Sequence, residues 1–228
     1  MAPRTSTSSM VLLVVAAALA LHGTAVAAQV VNGSFENVVI GAPYLSTDPA
    51  DVPGWTHGGS AGDALLMRVG YVDGTGRVAT TGQGSQFVIM GGGSGVFGTA
   101  SWLQTLTGLT PGTTYLLSFM MAAEATVAGQ QSITVDFPSG SPTSAQVFTS
   151  AMPTGNYWTD WTTQTLNFVA ASSSVGLRFS TSTVYDVGLD AVRVSAVVSA
   201  VPEPRSLLLL ASSLLPVLWL VRRRRNIG

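Results

Sequence analysis

Between residues 29 and 200 apolar and polar side chains alternate again and again with a period of two, and no long stretch follows the helical period. In SITVDFP, Ile133, Val135 and Phe137 point one way while Ser132, Thr134 and Asp136 point the other. In SVGLRFS, Val175, Leu177 and Phe179 alternate with Gly176, Arg178 and Ser180, and in TLNF, Leu166 and Phe168 flank Asn167. Such a pattern places one face of a strand on a core and the other in solvent. QFVIM and TTYLLSFMM are more continuously apolar, as central strands are. VDGTGR, GGGSG, LTPGTT, FPSGSP and MPTGN supply the turns between them. Eight to ten short strands so punctuated predict an all-β fold, an antiparallel β-sandwich of jelly-roll type.

The two ends do not share this pattern. MAPRTSTSSMVLLVVAAALALHGTAVAAQ has a single positive charge at Arg4, an apolar run from Met10 to Leu21, then small residues with a cleavage pattern at Ala25-Val26-Ala27. This is the order of a secretory signal peptide, residues 1–28, with a helical apolar part too short for a comfortable membrane span. At the other end, VVSAVPEP reads as a linker, and a hydrophobic helix followed by four arginines closes the chain. The working domain is therefore residues 29–198, and residues 199–228 form a linker and terminal segment.

Removing the ends changes the charge balance. All ten basic residues are arginines, and only Arg68, Arg77, Arg178 and Arg193 fall in the domain, against ten of the eleven acids. An acidic surface repels phosphate backbones, so nucleic acid is excluded as a partner. The absence of cysteine excludes thiol chemistry, Cys-ligated zinc and iron–sulfur clusters. With one histidine in the domain, His57, a multi-histidine zinc site is excluded too.

Two motifs imitate enzymes. GGSAG at 58–62 matches G-x-S-x-G with Ser60 in the nucleophile position, but His57 precedes it and no amphipathic helix follows. GSGVFG at 93–98 matches G-x-G-x-x-G, but the following TASWLQTLTG has strand character instead of opening a helix. Both read as glycine-rich turns, and no catalytic residue is assigned. Asn32-Gly33-Ser34 fits a glycosylation sequon and reads as a turn.

NGSFE near the start, PGWT some twenty residues on, WLQTLTGLTPGTTYLLSF in the middle and GLDAVRV at the end together resemble the galactose-binding-like sandwiches, which include carbohydrate-binding modules. The resemblance covers nearly all of 29–198. It implies a structural calcium tying the first strand to the last, with Glu36 and Asp190 as carboxylate ligands and backbone oxygens near Gly33 assisting. Strict alternation supports Asp190 independently. It would share the core face with Val192 and Val194, where an acid must be paired, by a hard cation or by backbone amides. Sugar binding in such folds uses aromatics that stack on pyranose rings, for which Trp55, Trp102, Trp158 and Trp161 are the candidates, with Tyr44, His57 and Tyr157 beside them. Core packing is the alternative for each. Trp158 and Trp161, three apart, would face opposite sides of a strand.

The tail resembles the PEP-CTERM sorting signal of Gram-negative bacteria: Pro202, Glu203 and Pro204, then the apolar run from Leu207 to Val221, then Arg222, Arg223, Arg224 and Arg225. The run spans about 22 Å as a helix, short of the roughly 30 Å hydrocarbon core, and can just cross it with thinning or snorkelling. The arginines hold the C-terminus in the cytoplasm. The resemblance implies two processing partners, signal peptidase and an exosortase, and a stay at the inner membrane before release to the cell surface or matrix. The expected product is a non-enzymatic exported protein with a capacity to bind exopolysaccharide. A structural matrix protein without a ligand and a secreted glycoside-active enzyme are the rivals.

Overall fold

The computed structural model describes residues 30–38, 40–41, 45–46, 52–59, 64–72, 78–91, 99–124, 130–152, 158, 160–183 and 185–197. Both terminal segments, with the signal peptide, the Pro-Glu-Pro motif and the arginines, lie outside them, as do Tyr44, Ser60, Tyr157 and the GSGVFG stretch.

Eleven strands are described: β1 (Leu45–Ser46), β2 (Thr56–Gly59), β3 (Ala64–Arg68), β4 (Gln86–Met90), β5 (Ala100–Thr107), β6 (Thr114–Ala123), β7 (Ser132–Ser139), β8 (Gln146–Thr149), β9 (Thr162–Val169), β10 (Ser174–Thr181) and β11 (Val187–Ala196). They form an antiparallel β-sandwich. One sheet has the order β1-β3-β4-β11-β6-β9 and the other β2-β5-β10-β7-β8. Strands β5 and β6 are consecutive yet belong to different sheets, so the LTPGTT turn carries the chain across the sandwich. There Gly112, at φ 79°, donates its amide to the Ala170 carbonyl, and the Tyr115 hydroxyl accepts from the Thr110 amide at 2.8 Å.

The alternating stretches are strands with the expected faces. Ile133, Val135 and Phe137 of β7, and Val175, Leu177 and Phe179 of β10, enter the core between the sheets. They meet Leu117, Phe119 and Met121 of β6 and Val88 and Met90 of β4 from the opposite layer. Aromatic edges lock the two sheets together: Phe119 packs against Phe179 and Phe148 with ring centroids 5.1 Å apart in both cases. Each fully buried side chain of this size contributes roughly 1.5–3 kcal/mol relative to exposure.

A second, smaller core sits on the outer face of the six-stranded sheet. Met67, Phe87 and Ile89 point outward there and are covered by Ala79 and Trp158, with Leu65, Tyr71 and Trp161 packed around them. This is why QFVIM is buried along its whole length. It also corrects the strand reading of YWTDW. Trp158 occupies a turn at φ 53° before β9, and Trp161 follows it without entering a strand. Both indoles consequently land on one face, 5.6 and 5.1 Å from the Phe87 ring, instead of opposite sides.

Candidate functional site

The segment after residue 29 adds no long strand. It is a chain of turns laid along one end of the sandwich and fastened by side chains. Gln104 on β5 brackets Val31: its Nε2 donates to the Val31 and Gly54 carbonyls at 2.8 and 2.9 Å, and its Oε1 accepts from the Val31 amide at 2.8 Å. Gln86 on β4 does the same for the next turn, donating to the Phe35 and Val38 carbonyls and accepting from the Ile40 amide. Neither glutamine stood out in the sequence. The available signal was a polar residue at a core-facing position of an otherwise apolar strand, which demands partners.

The NGSFE and PGW motifs meet here. The Asn32 carbonyl accepts the Trp55 indole N–H at 3.1 Å, and the Phe35 ring packs 5.5 Å from Trp55. Asn32 stands at φ 51° and Phe35 at φ 59°, so the stretch is a turn, with Asn32 itself buried. Gly33 lies flat on β11: its carbonyl accepts the Val192 amide at 2.8 Å, and a Cβ at Gly33 would collide with the Val192 carbonyl oxygen.

The first and last motifs are thus joined, by a main-chain hydrogen bond, and Glu36 and Asp190 flank the same loop, residues 82–86. Glu36 accepts the amides of Ser85 at 2.6 Å and Gln86 at 2.7 Å and the Ser85 hydroxyl at 2.7 Å. Asp190 accepts the amides of Gln83 at 2.7 Å and Ala191 at 2.6 Å. The face assigned to Asp190 requires correction. Asp190 pairs with Met120 while Arg193 pairs with Ser118, so β11 carries one extra residue at this point, and Ala191 takes φ 52°. This bulge breaks the alternation. Asp190 and Arg193 lie on the outer face, Val192 and Val194 on the core face. Asp190 is nevertheless fully buried, because the 82–86 loop covers it. Desolvation raises its pKa from 3.8 to about 7. The Gln83 and Ala191 amides lower it, the Glu36 charge raises it again, and the Gly82 amide lowers it.

As a calcium site this pair fits poorly. Four carboxylate oxygens already face N–H or O–H hydrogens, which repel a cation, and the Gly33 carbonyl is taken by Val192. Among the described residues no three His, Cys, Asp or Glu side chains gather. Amide pairing satisfies the buried acid.

Among the described residues, two concavities stand on the outer faces. Beside the bulge, a cleft of about 380 Å³ is lined by Gly82, Gln83, Ser118, Met120, Thr163 and Arg193. On the opposite sheet, a groove of about 350 Å³ runs over β5, β10 and β7, lined by Ser101, Thr134, Arg178, Ser180 and Ser182 among others. Register explains its lining. Ser180 pairs with Ser101 on one side and Thr134 on the other, giving a row of three hydroxyl residues directly across the strands, at intervals of about 4.8 Å. One row along, Arg178 pairs with Leu103 and Asp136, and its guanidinium grips the Asp136 carboxylate with both Nε, at 2.8 Å, and Nη2. The hydrogen bond to Asp136 holds the Arg178 pKa above its ordinary value.

Of the four candidate tryptophans none lines the groove, and only Trp161 stands beside the cleft, against Gly82 of its lining. Trp55, Trp102 and Trp158 are buried, the first two in the main core and the third in the outer one, and Trp161 is half-buried with its indole N–H on the Trp158 carbonyl at 2.7 Å. His57 on β2 stands edge-on to Trp102 at 5.9 Å. Of the sequence candidates, the structure brings together Glu36 with Asp190, and Trp158 with Trp161. Trp55, Trp102 and His57 take packing roles, and Tyr44 and Tyr157 lie outside the described residues.

The family model described as "Protein of unknown function (DUF642)" matches residues 28–191. No curated protein is significantly similar in sequence. Among solved structures, the chain is similar to the carbohydrate-binding module TmCBM61, solved in complex with β-1,4-galactotriose, at 12% identity and a TM-score of 0.50, over 73% of this chain and 97% of that one. It also matches the xylan-binding CBM22-1 domain of Paenibacillus barcinonensis Xyn10C at 17% identity and a TM-score of 0.40, over 64% of this chain and 88% of that one. A third match is the C-terminal family 22 module of Clostridium thermocellum Xyn10B, at 14% identity and 0.37, over 70% and 95%. At 12% identity, what is shared with TmCBM61 is the sandwich fold.

Proposed function

The chain belongs to the DUF642 family, and on that footing we propose that it is an exported, non-enzymatic carbohydrate-binding protein of the bacterial envelope or matrix. The single observation that carries the binding role is the cross-strand row Ser101–Ser180–Thr134 beside the Arg178–Asp136 fork. Hydroxyls that donate and accept, next to a held guanidinium and carboxylate, match the hydrogen-bonding needs of neutral sugar hydroxyls. The charges cancel within the pair, so the groove favours neutral glycan over anion. The fold shared with a galactotriose-binding module supports the same class of ligand. Binding is preferred to hydrolysis because glycoside cleavage uses two free carboxylates, and the described groove-lining residues include none.

Delivery follows from the ends. The signal peptide directs export, and the segment 199–228, resembling a PEP-CTERM signal, would hold the domain on the outer side of the inner membrane until an exosortase acts near Pro202-Glu203-Pro204.

A glycan array followed by calorimetry on the full-length protein in detergent tests the groove. Wild type is expected to bind a neutral oligosaccharide, and Arg178→Gln to weaken it roughly 10- to 100-fold, the equivalent of losing a charged hydrogen bond. Absence of neutral-glycan binding, or equal affinity in the variant at unchanged melting temperature, removes the reading.

A further inference from the structure

We propose that the cleft beside the β11 bulge is a second ligand site, one that takes the carboxylate of an acidic sugar. It lies on the outer face of the six-stranded sheet, away from the neutral groove, and stands independently of it.

Arg193 carries the assignment. The extra residue at Ala191 turns the Arg193 side chain outward over the cleft, where it is exposed. Its Nη2 donates to the Gln83 Oε1 at 2.6 Å, which fixes the guanidinium without neutralising it. Among the described residues no carboxylate pairs with it, whereas Arg178 is tied to Asp136. A guanidinium carries five N–H donors in a planar fork that matches a carboxylate, and one is spent on Gln83.

The rest of the lining suits a sugar. Ser118 and Thr163 face outward from adjacent strands and offer hydroxyls. Met120 and the half-buried Trp161 press on Gly82, where a Cβ would lie 3.0 Å from both, so the loop passes over this apolar wall with no side chain of its own in the way. A polar edge with one cation and an apolar flank fits a pyranose ring bearing an acid. The charge count favours a monoanion over a phosphate or sulfate cluster. Among the described residues only one cation lines the cleft, and Asp190 and Glu36 lie behind the 82–86 loop, their oxygens turned to its amides. The bulge and the left-handed Ala191 are backbone irregularities of the kind that re-aim side chains at binding sites.

Trigalacturonate and its fully methyl-esterified form differ in charge but hardly in shape, and calorimetry of both against the full-length protein in detergent tests the site. The acid is expected to bind at least tenfold more tightly than the ester at low salt. That preference should vanish in Arg193→Gln and survive in part in Arg193→Lys, which keeps the charge and loses the fork. Since Arg193 is exposed, both variants should melt as wild type does. Equal binding of acid and ester, no binding of either, or an acid preference undiminished in Arg193→Gln overturns the site. Neutral-glycan binding that depends on Arg178, with no preference for the acid, would leave the groove in place and remove this cleft alone. An acid preference lost with Arg193 would hold whether or not the groove binds anything.

Discussion

At the scale of the residue, Asp190 shows how far sequence reasoning reaches. An acid between Leu189 and Val192 demands a partner, and it has the amides of Gln83 and Ala191. Which partner, and on which face, depended on a bulge that no local pattern announces, because alternation carries no mark where one residue is extra. Its titration gives a test. Burial first of all holds the folded pKa near 7 against 3.8. Between these values the folded state keeps a proton that the unfolded chain has released. The associated stability is therefore complete below about pH 4 and is lost as pH rises through about 7. Urea denaturation at several pH values should show wild type losing stability relative to Asp190→Asn, which cannot ionise, over this window. A difference that stays flat from pH 4 to 8 would refute a buried, proton-holding carboxyl. Gly33 is the other telling residue: its glycine identity is explained only by the Val192 carbonyl lying against it, from a strand about 160 positions away.

At the scale of the element, the strands were the most legible feature, since a half-buried strand writes its two environments directly into alternate positions. The faces of β7 and β10 are as the alternation predicts. The failures are strands buried on both sides or interrupted. β4 reads as uniformly apolar, and only the structure shows that Val88 and Met90 belong to the main core while Phe87 and Ile89 belong to another. The second core is held by Trp158, a residue from a turn about 70 positions further on. Trp158→Ala should cost roughly 3–5 kcal/mol, as removal of a buried tryptophan does, and lower the melting temperature by roughly 6–20 °C. Thermal denaturation checks this, and a shift of only a degree or two would mean that the outer cluster is a surface decoration and not a core.

At the scale of the whole molecule, the domain is a pair of sheets closed at one end by a turn-rich segment, which Gln86 and Gln104 fasten from inside. The proposed life history treats everything before residue 29 and after residue 198 as addresses. Mass spectrometry of surface material from cells carrying the sorting enzyme should then find a product that lacks the signal peptide and lacks Arg222 to Arg225. An intact arginine terminus on the surface form would contradict the proposed processing. The sequence by itself determined the class of fold and the exclusion of thiol and multi-histidine zinc chemistry. It could do so because the period of alternation and the presence or absence of residue types are local or compositional facts. Tertiary structure alone decided where the concavities lie, that Trp55, Trp102 and Trp158 are packing residues, that Glu36 and Asp190 hold backbone amides, and that Arg193 stands over a cleft while Arg178 is tied to its neighbour. Those depend on strand register and on one extra residue in β11, and register is set by contacts between segments far apart in the chain, which no window of sequence contains.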